Sequence, residues 1–209
     1  RNFILRHRQE KGEKFPRISL KFRHSEYERV LQSDLSVQDG LKWKGKLEED
    51  IGVQKDGATS SVYSKSALVK ISHHPASVLA QYLDIFPGLQ KLKLDPQIQL
   101  FPVNYLTVKE KKYELDTLLF DEDLSAGTDL SIWTFKGDDS PIIAEFSFKL
   151  KFQDKVQIQN STKIERFFAR LIRKSSEWRY TGYTKTALVY QGSPGQKPSQ
   201  ESFSTLYDF

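Results

Sequence analysis

The chain has 209 residues, which is enough for one domain with a sizeable hydrophobic core. It contains no cysteine, so disulfide scaffolds, thiolate metal sites and cysteine nucleophiles are excluded. The net charge of +5 indicates a mildly basic protein, and no apolar run approaches the roughly 20 residues that span a bilayer. Because no leader sequence precedes the first predicted strand, we expect a cytoplasmic protein that does not bind a membrane.

Alternation of apolar and polar residues predicts most of the secondary structure. Two alternating segments flank a polar turn at Gly12, and together they predict a hairpin over residues 2–23. Further strands are predicted at residues 41–47, 106–113 and 142–152. These segments indicate a mainly antiparallel sheet.

Helices are predicted at residues 25–31, 76–86 and 162–174. The third has apolar residues at the i, i+3, i+4, i+7 spacing of an amphipathic helix. A stretch rich in Gly, Pro, Ser and Gln predicts a flexible tail over residues 191–209. The sequence therefore predicts one α+β domain up to residue 190, with helices packed outside antiparallel strands.

The polar faces of the predicted strands are unusually cationic. Their basic residues are Arg6, Arg8, Arg17, Lys21, Arg23, Lys42, Lys44, Lys46, Lys109 and Lys111. One interpretation is a set of solvated faces that resist edge-to-edge pairing. The other is a shared concave interior, where so many like charges would need an anionic ligand. Polyphosphate suits such an interior, because arginine binds phosphate oxygens bidentately and lysine supplies a mobile charge.

A carboxylate in the same interior would hold a divalent metal, which prefers oxygen ligands and bridges phosphates. Glu145 lies on the polar face of the strand predicted at residues 142–152, so it is the candidate ligand. The alternative is a structural ion pair between Glu145 and Lys149 or a neighbouring strand.

The order of these elements resembles the triphosphate tunnel metalloenzymes, the CYTH superfamily. Residues 3–8 followed by residues 18–21 are similar to the family's hairpin of an L-R-x-R strand and an L-x-L-K strand. Residues 106–117 are similar to its later basic strand, which runs into an L-D segment. Residues 144–148 are similar to its acidic strand, and residues 184–190 are similar to the K-T-x-x-x-Y close of thiamine-triphosphatase-like members.

The resemblance implies an antiparallel β-barrel, or tunnel, with helices outside and with its first strand upstream of residue 1. It implies that basic side chains bind a triphosphate, and that acidic residues hold Mg²⁺ or Mn²⁺, which activates water for hydrolysis. The phosphate-binding residues would be Arg6, Arg8, Lys21, Lys109, Lys111 and Lys185. Glu145 would be the catalytic and metal-binding residue.

Three hypotheses of function follow. The first is a metal-dependent triphosphatase acting on tripolyphosphate, a nucleoside triphosphate or thiamine triphosphate. The second is a non-catalytic module that binds a polyanion, favoured by Ser147 at the position of the family's second acid. The third is an RNA-contacting β-sheet protein, although the modest net charge makes nucleic acid the less expected partner.

Overall fold

The structure, a computed structural model, describes residues 2–54, 57–73, 77–122, 124–151, 161–177, 179 and 189–190. They belong to two compact units, Arg1–Phe101 and Pro102–Phe209. The strands are β1 (Phe3–Arg8), β2 (Arg17–His24), β3 (Trp43–Val53), β4 (Thr59–Lys70), β5 (Val108–Glu114), β6 (Leu118–Asp121), β7 (Leu124–Phe135) and β8 (Ile143–Leu150). The α-helices are α1 (Tyr27–Gln32), α2 (Leu79–Ile85) and α3 (Ser161–Lys174), with 3-10 helices at Pro87–Leu92 and Val103–Tyr105.

The first unit is a four-stranded antiparallel sheet with the order β1-β2-β4-β3. Successive residues of a strand point to opposite sides of a sheet, and residues paired across strands share a side. The apolar residues of β2 and β4 therefore meet on one side, where they pack against α2 and the 3-10 helix that follows. This core contains Ile18, Leu20, Ala67, Val69, Leu79, Tyr82, Leu83, Ile85, Phe86 and Leu89, all buried.

The helix α1 lies on the same side of the first sheet as the core. Its Tyr27 ring contacts Tyr63 edge-on, with 5.2 Å between ring centroids. Lys65 donates hydrogen bonds through Nζ to the carbonyl of Leu31 at 3.2 Å and to that of Ser33 at 2.9 Å. Since Tyr63 and Lys65 alternate with residues of the other side, neither α1 nor α2 packs on that other side.

The second unit is built around the long strand β7. One edge of β7 pairs with β8, and the other pairs with β5 and β6, all antiparallel. The aromatic ring of Phe148 packs edge-on against Phe167 and Phe168 of α3, at centroid distances of 5.5 Å and 5.8 Å. The apolar stripe of α3 thus covers one side of this sheet near Phe148.

The predicted α+β class with antiparallel sheets is confirmed. The hairpin is β1 and β2, the strand at 41–47 extends to Val53, and β8 has the predicted alternation. The helix predicted from Ala76 begins instead at Leu79, because Ser77 and Leu79 bond to the backbone of residues 98–100 in an extended conformation. Within the described residues neither sheet closes into a barrel. The tail predicted at 191–209 lies outside the described residues.

His7 lies on the core side of β1, between two arginines that point the other way. Its Nε2 is 2.7 Å from the hydroxyl of the buried Tyr82. Burial lowers the pKa of His7 below its ordinary value of 6.5, so the folded state favours the neutral imidazole.

We therefore expect the free energy of unfolding to decrease as the pH falls from 6.5 through the lowered folded pKa, because the unfolded chain takes up the proton first. Urea unfolding between pH 7.5 and pH 5 measures this decrease. His7→Gln should reduce this dependence of stability on pH. His24→Gln removes a different histidine and should leave the dependence as it is in wild type. An equal pH dependence in wild type and His7→Gln would refute the assignment.

Candidate anion-binding site

The side of the first sheet that faces away from α2 carries eight cationic side chains, and we call it the basic face. Its members are Arg6, Arg8, Arg17, Lys21, Arg23, Lys44, Lys46 and Lys70. Among the described strand residues, this face has two carboxylates, Glu48 and Asp50. The face is therefore strongly positive even though the whole chain is close to balanced.

The cations of the basic face are concentrated toward one end of the sheet. Arg8, Arg17 and Lys70 lie in one cross-strand row. Lys21 and Lys46 flank Ser66 two rows further along. Rows on one side of a sheet are about 6.7 Å apart, since each residue rises about 3.3–3.4 Å. Seven of the cations thus lie within three successive rows, before the carboxylates begin.

The central cations of the basic face are partly withdrawn from water. The side chains of Arg17, Lys21 and Arg23 are 24%, 27% and 27% exposed. Burial lowers the pKa of Lys21 below 10.5, and the Arg23 charge acts in the same direction, while Asp50 opposes the shift. A charge that has lost hydration in this way gains more from an anionic partner than a fully solvated lysine does.

Three polar atoms on the basic face are buried and have no hydrogen-bond partner in the described part of the chain. They are Nε of Arg17, Nε of Arg23 and Oγ of Ser64. Ser64 is 1% exposed and lies between Arg23 and Glu48 in the register of the sheet. Buried polar groups are nearly always hydrogen-bonded in folded proteins, so these atoms mark a place where a polar ligand would add bonds.

The existing ion pairs neutralise two of the arginines only in part. Arg17 places Nη2 at 2.7 Å from Glu10 and 3.4 Å from Glu13, both in the turn after β1. Arg23 places Nη2 at 2.7 Å from Oδ2 of Asp50, and Nζ of Lys21 is 3.6 Å from the same oxygen. Each guanidinium thus uses its Nη2 atom, while its Nε has no partner among the residues that the structure describes.

The structure brings together three of the residues predicted to bind phosphate. Arg6, Arg8 and Lys21 share the basic face, where β1 pairs directly with β2. Lys109 and Lys111 lie on β5 in the second unit, and Lys109 pairs with Asp139 at 3.2 Å. Lys185 lies outside the described residues.

Glu145 and the two predicted lysines of β5 lie on opposite sides of the second sheet. Glu145 pairs with Ser131, and across β7 the partner of Ser131 is Lys112 rather than Lys111. Lys109 and Lys111 therefore do not share a surface with Glu145. Lys112 lies on the same side of the sheet as Glu145, and it pairs with Asp129 at 2.8 Å.

The described residues do not gather a group of metal ligands around Glu145. Within the described residues there is no group of three or more His, Asp or Glu side chains close enough to hold a metal ion. Ser147, two residues along the same side of β8, supplies a hydroxyl where a second carboxylate was expected.

Sequence reasoning did not single out Lys70, Ser64 and Asp50 as site residues. Lys70 and Ser64 belong to β4, which has no clear alternation, and Asp50 lies beyond the predicted end of β3. Their position on the basic face follows from the pairing of β4 with both β2 and β3.

A groove of about 480 Å³ lies beside α1 and β3 in the first unit, and Lys46 and Ser66 are among its lining residues. Its lining includes Leu31, Trp43 and Leu47, which makes it largely apolar, and the Lys65 ammonium group beside it already donates to backbone carbonyls. Such a lining does not suit a multiply charged anion. The basic face is therefore the better candidate for an anion.

Comparison with protein-family models, curated proteins and solved structures found no match to this chain. Among the described residues, no helix is both long and apolar enough to cross a membrane. The candidate site therefore stands on its geometry and charge, and the resemblance to triphosphate tunnel proteins stays a prediction.

Proposed function

We propose that this protein binds a linear polyphosphate or an organic triphosphate on the basic face of its first unit. The observation that carries the proposal is the group of partly buried cations on β2, among which Nε of Arg17 and Nε of Arg23 are buried without a partner in the described residues. The resemblance to the CYTH superfamily implies that the basic face would form part of the wall of a tunnel.

The alternative of a solvated, ligand-free face explains the charges less well. Lysines that serve only to keep an edge soluble stay exposed, as Lys44 and Lys46 do on the outer strand. Lys21 and Arg23 lie on β2, which pairs on both sides, and they are about three-quarters covered. A compact anion with several charges satisfies such cations, because each phosphate group accepts several hydrogen bonds.

Binding without hydrolysis is the function that the described residues support best, because Glu145 lacks neighbouring metal ligands among them. The resemblance also suggests hydrolysis with Mg²⁺ or Mn²⁺, which an assay of phosphate release tests. Phosphate release from tripolyphosphate, ATP and thiamine triphosphate is measured with either metal and with EDTA. Metal-dependent release would establish a triphosphatase, and binding without release would establish a binding module.

Arg6→Ala is expected to weaken tripolyphosphate binding by a factor of about ten or more, since a charge-assisted hydrogen bond contributes about 1.5–3 kcal/mol. Isothermal titration calorimetry measures the change. The matched control is Arg29→Ala, which removes the same charge from α1 on the other side of the sheet, where Arg29 pairs with Glu26 at 3.0 Å. Equal affinities of both variants would exclude the basic face as the site.

Titration with single-stranded RNA distinguishes polyphosphate binding from the third hypothesis, an RNA-contacting β-sheet. An RNA-binding sheet would show affinity that grows with oligonucleotide length and falls steeply with salt. A polyphosphate site would prefer tripolyphosphate over RNA at every length.

A further inference from the structure

We propose that Asp50 is an internal anion that holds Lys21 and Arg23 in the absence of ligand and is displaced when a phosphate group binds. This inference rests on the proposed function and assigns Asp50 the role of setting affinity at that site.

The geometry places one carboxylate oxygen between the two cations. Oδ2 of Asp50 accepts a hydrogen bond from Nη2 of Arg23 at 2.7 Å and lies 3.6 Å from Nζ of Lys21. Asp50 comes from β3, which is separated from β2 by β4 in the sheet. Its carboxylate therefore reaches across the basic face, into the position that a ligand phosphate on β2 would need.

Asp50 does not complete the hydrogen bonds of the cations that it holds. The guanidinium of Arg23 engages Asp50 through Nη2 alone, and its Nε is buried without a partner in the described residues. Arginine binds phosphate best when two of its nitrogens donate in parallel. A phosphate group that takes both Nε and Nη2 would supply the bond that Asp50 leaves unmade.

The carboxylate of Asp50 can also be displaced at little cost in free energy. Its side chain is 45% exposed, on a strand that lies at the edge of the first sheet. Ion pairs at such exposure contribute little net free energy, because water solvates the released carboxylate. Displacement of Asp50 therefore costs little compared with the bonds that a multiply charged ligand gains.

The adjacent residue offers a matched control. Glu49 carries the same charge on the same strand, but it pairs in register with Tyr63 and so points to the core side. Glu49→Gln and Asp50→Asn change the net charge equally, and they differ in which side of the sheet loses a carboxylate.

Isothermal titration calorimetry with tripolyphosphate tests the inference. Asp50→Asn should bind about tenfold more tightly than wild type, a difference of about 1.4 kcal/mol, and Glu49→Gln should bind nearly as wild type does. Affinity of Asp50→Asn equal to or below that of Glu49→Gln would overturn it.

A second measurement uses the wild-type protein and so does not depend on how the variants fold. The Nε–H resonance of Arg23 should shift when tripolyphosphate is added, because the atom gains an acceptor. The Nε–H of Arg29, which already donates to Glu26 at 3.0 Å, is the internal reference. An Arg23 resonance that moves no more than that of Arg29 would refute the displacement.

The two proposals fail in different ways. If wild type binds tripolyphosphate and Asp50→Asn binds no better than Glu49→Gln, the role of Asp50 is wrong and the proposed function stands. If neither wild type nor Asp50→Asn binds, the proposed function fails and the inference fails with it.

Discussion

Lys21→Met is expected to weaken tripolyphosphate binding at least about tenfold while leaving the fold as stable as wild type or more so. The binding loss follows from the central position of the ammonium group on the basic face. Stability is retained because burial already disfavours the charged form of Lys21, and methionine keeps the apolar stem without that charge. The partner Asp50 keeps its closer bond to Arg23, so no carboxylate is left unpaired.

Calorimetry and urea unfolding together test this prediction. Lys91→Met is the control, because Lys91 is exposed on the core side of the sheet, where it pairs with Asp34 at 2.6 Å. It should leave the affinity for tripolyphosphate unchanged. A Lys21→Met protein that binds normally and unfolds at lower urea would mean that Lys21 has a structural role, and the proposed site would be wrong.

Gly88→Ala is expected to lower the free energy of unfolding of the first unit by about 1–3 kcal/mol, the usual range for overpacking. A Cβ atom at Gly88 would lie 2.5 Å from the backbone oxygen of Asp34 and 2.6 Å from its Oδ1. The nearer of these two atoms belongs to the backbone, which cannot rotate aside as a flexible side chain can. The 3-10 helix after α2 must therefore shift away from the core.

Urea unfolding of the two glycine variants measures the effect. Gly52→Ala serves as the control, since a Cβ at Gly52 meets no atom within 4 Å. Its unfolding midpoint should stay close to that of wild type. An unchanged unfolding midpoint for Gly88→Ala would show that Asp34 has room for the added methyl group, and the prediction would be wrong.

The sequence predicts the fold well where apolar and polar residues keep one constant period along the whole element. β2 and β8 alternate cleanly, and α3 has a continuous apolar stripe, so each was predicted nearly to its bounds. β4 was harder, because serine residues interrupt the apolar set on a strand that pairs on both edges. Without large apolar residues at every second position, its pattern resembles that of a loop.

Alternation also does not predict β7, for a different reason. Leu124, Ala126 and Thr128 are buried on one side, whereas Ser131 and Trp133 are buried on the other. The buried side changes midway along the strand, so a constant period of two fails across the whole segment. The pattern of such a strand can be interpreted only when the tertiary structure shows which elements cover each of its ends.

The candidate site could be predicted only within single hairpins. Arg6, Arg8 and Lys21 were found because their relative phase is fixed by local alternation in β1 and β2. Lys109 and Lys111 are predicted to share a surface with Glu145, but alternation gives the two sides of β5 without saying which one Glu145 shares. That information is in the register across β7, which sequence periodicity does not contain.

The strand order β1-β2-β4-β3 has a consequence for how the protein folds. β1 with β2, and β3 with β4, are hairpins of neighbouring segments, which form within microseconds. The pairing of β2 with β4 joins strands that are separated by α1 and β3, and such non-local pairings slow folding. We expect the two hairpins to form early and their docking to limit the rate. Because that step places Lys21 beside Ser66, the basic face is assembled at the transition in which the core closes.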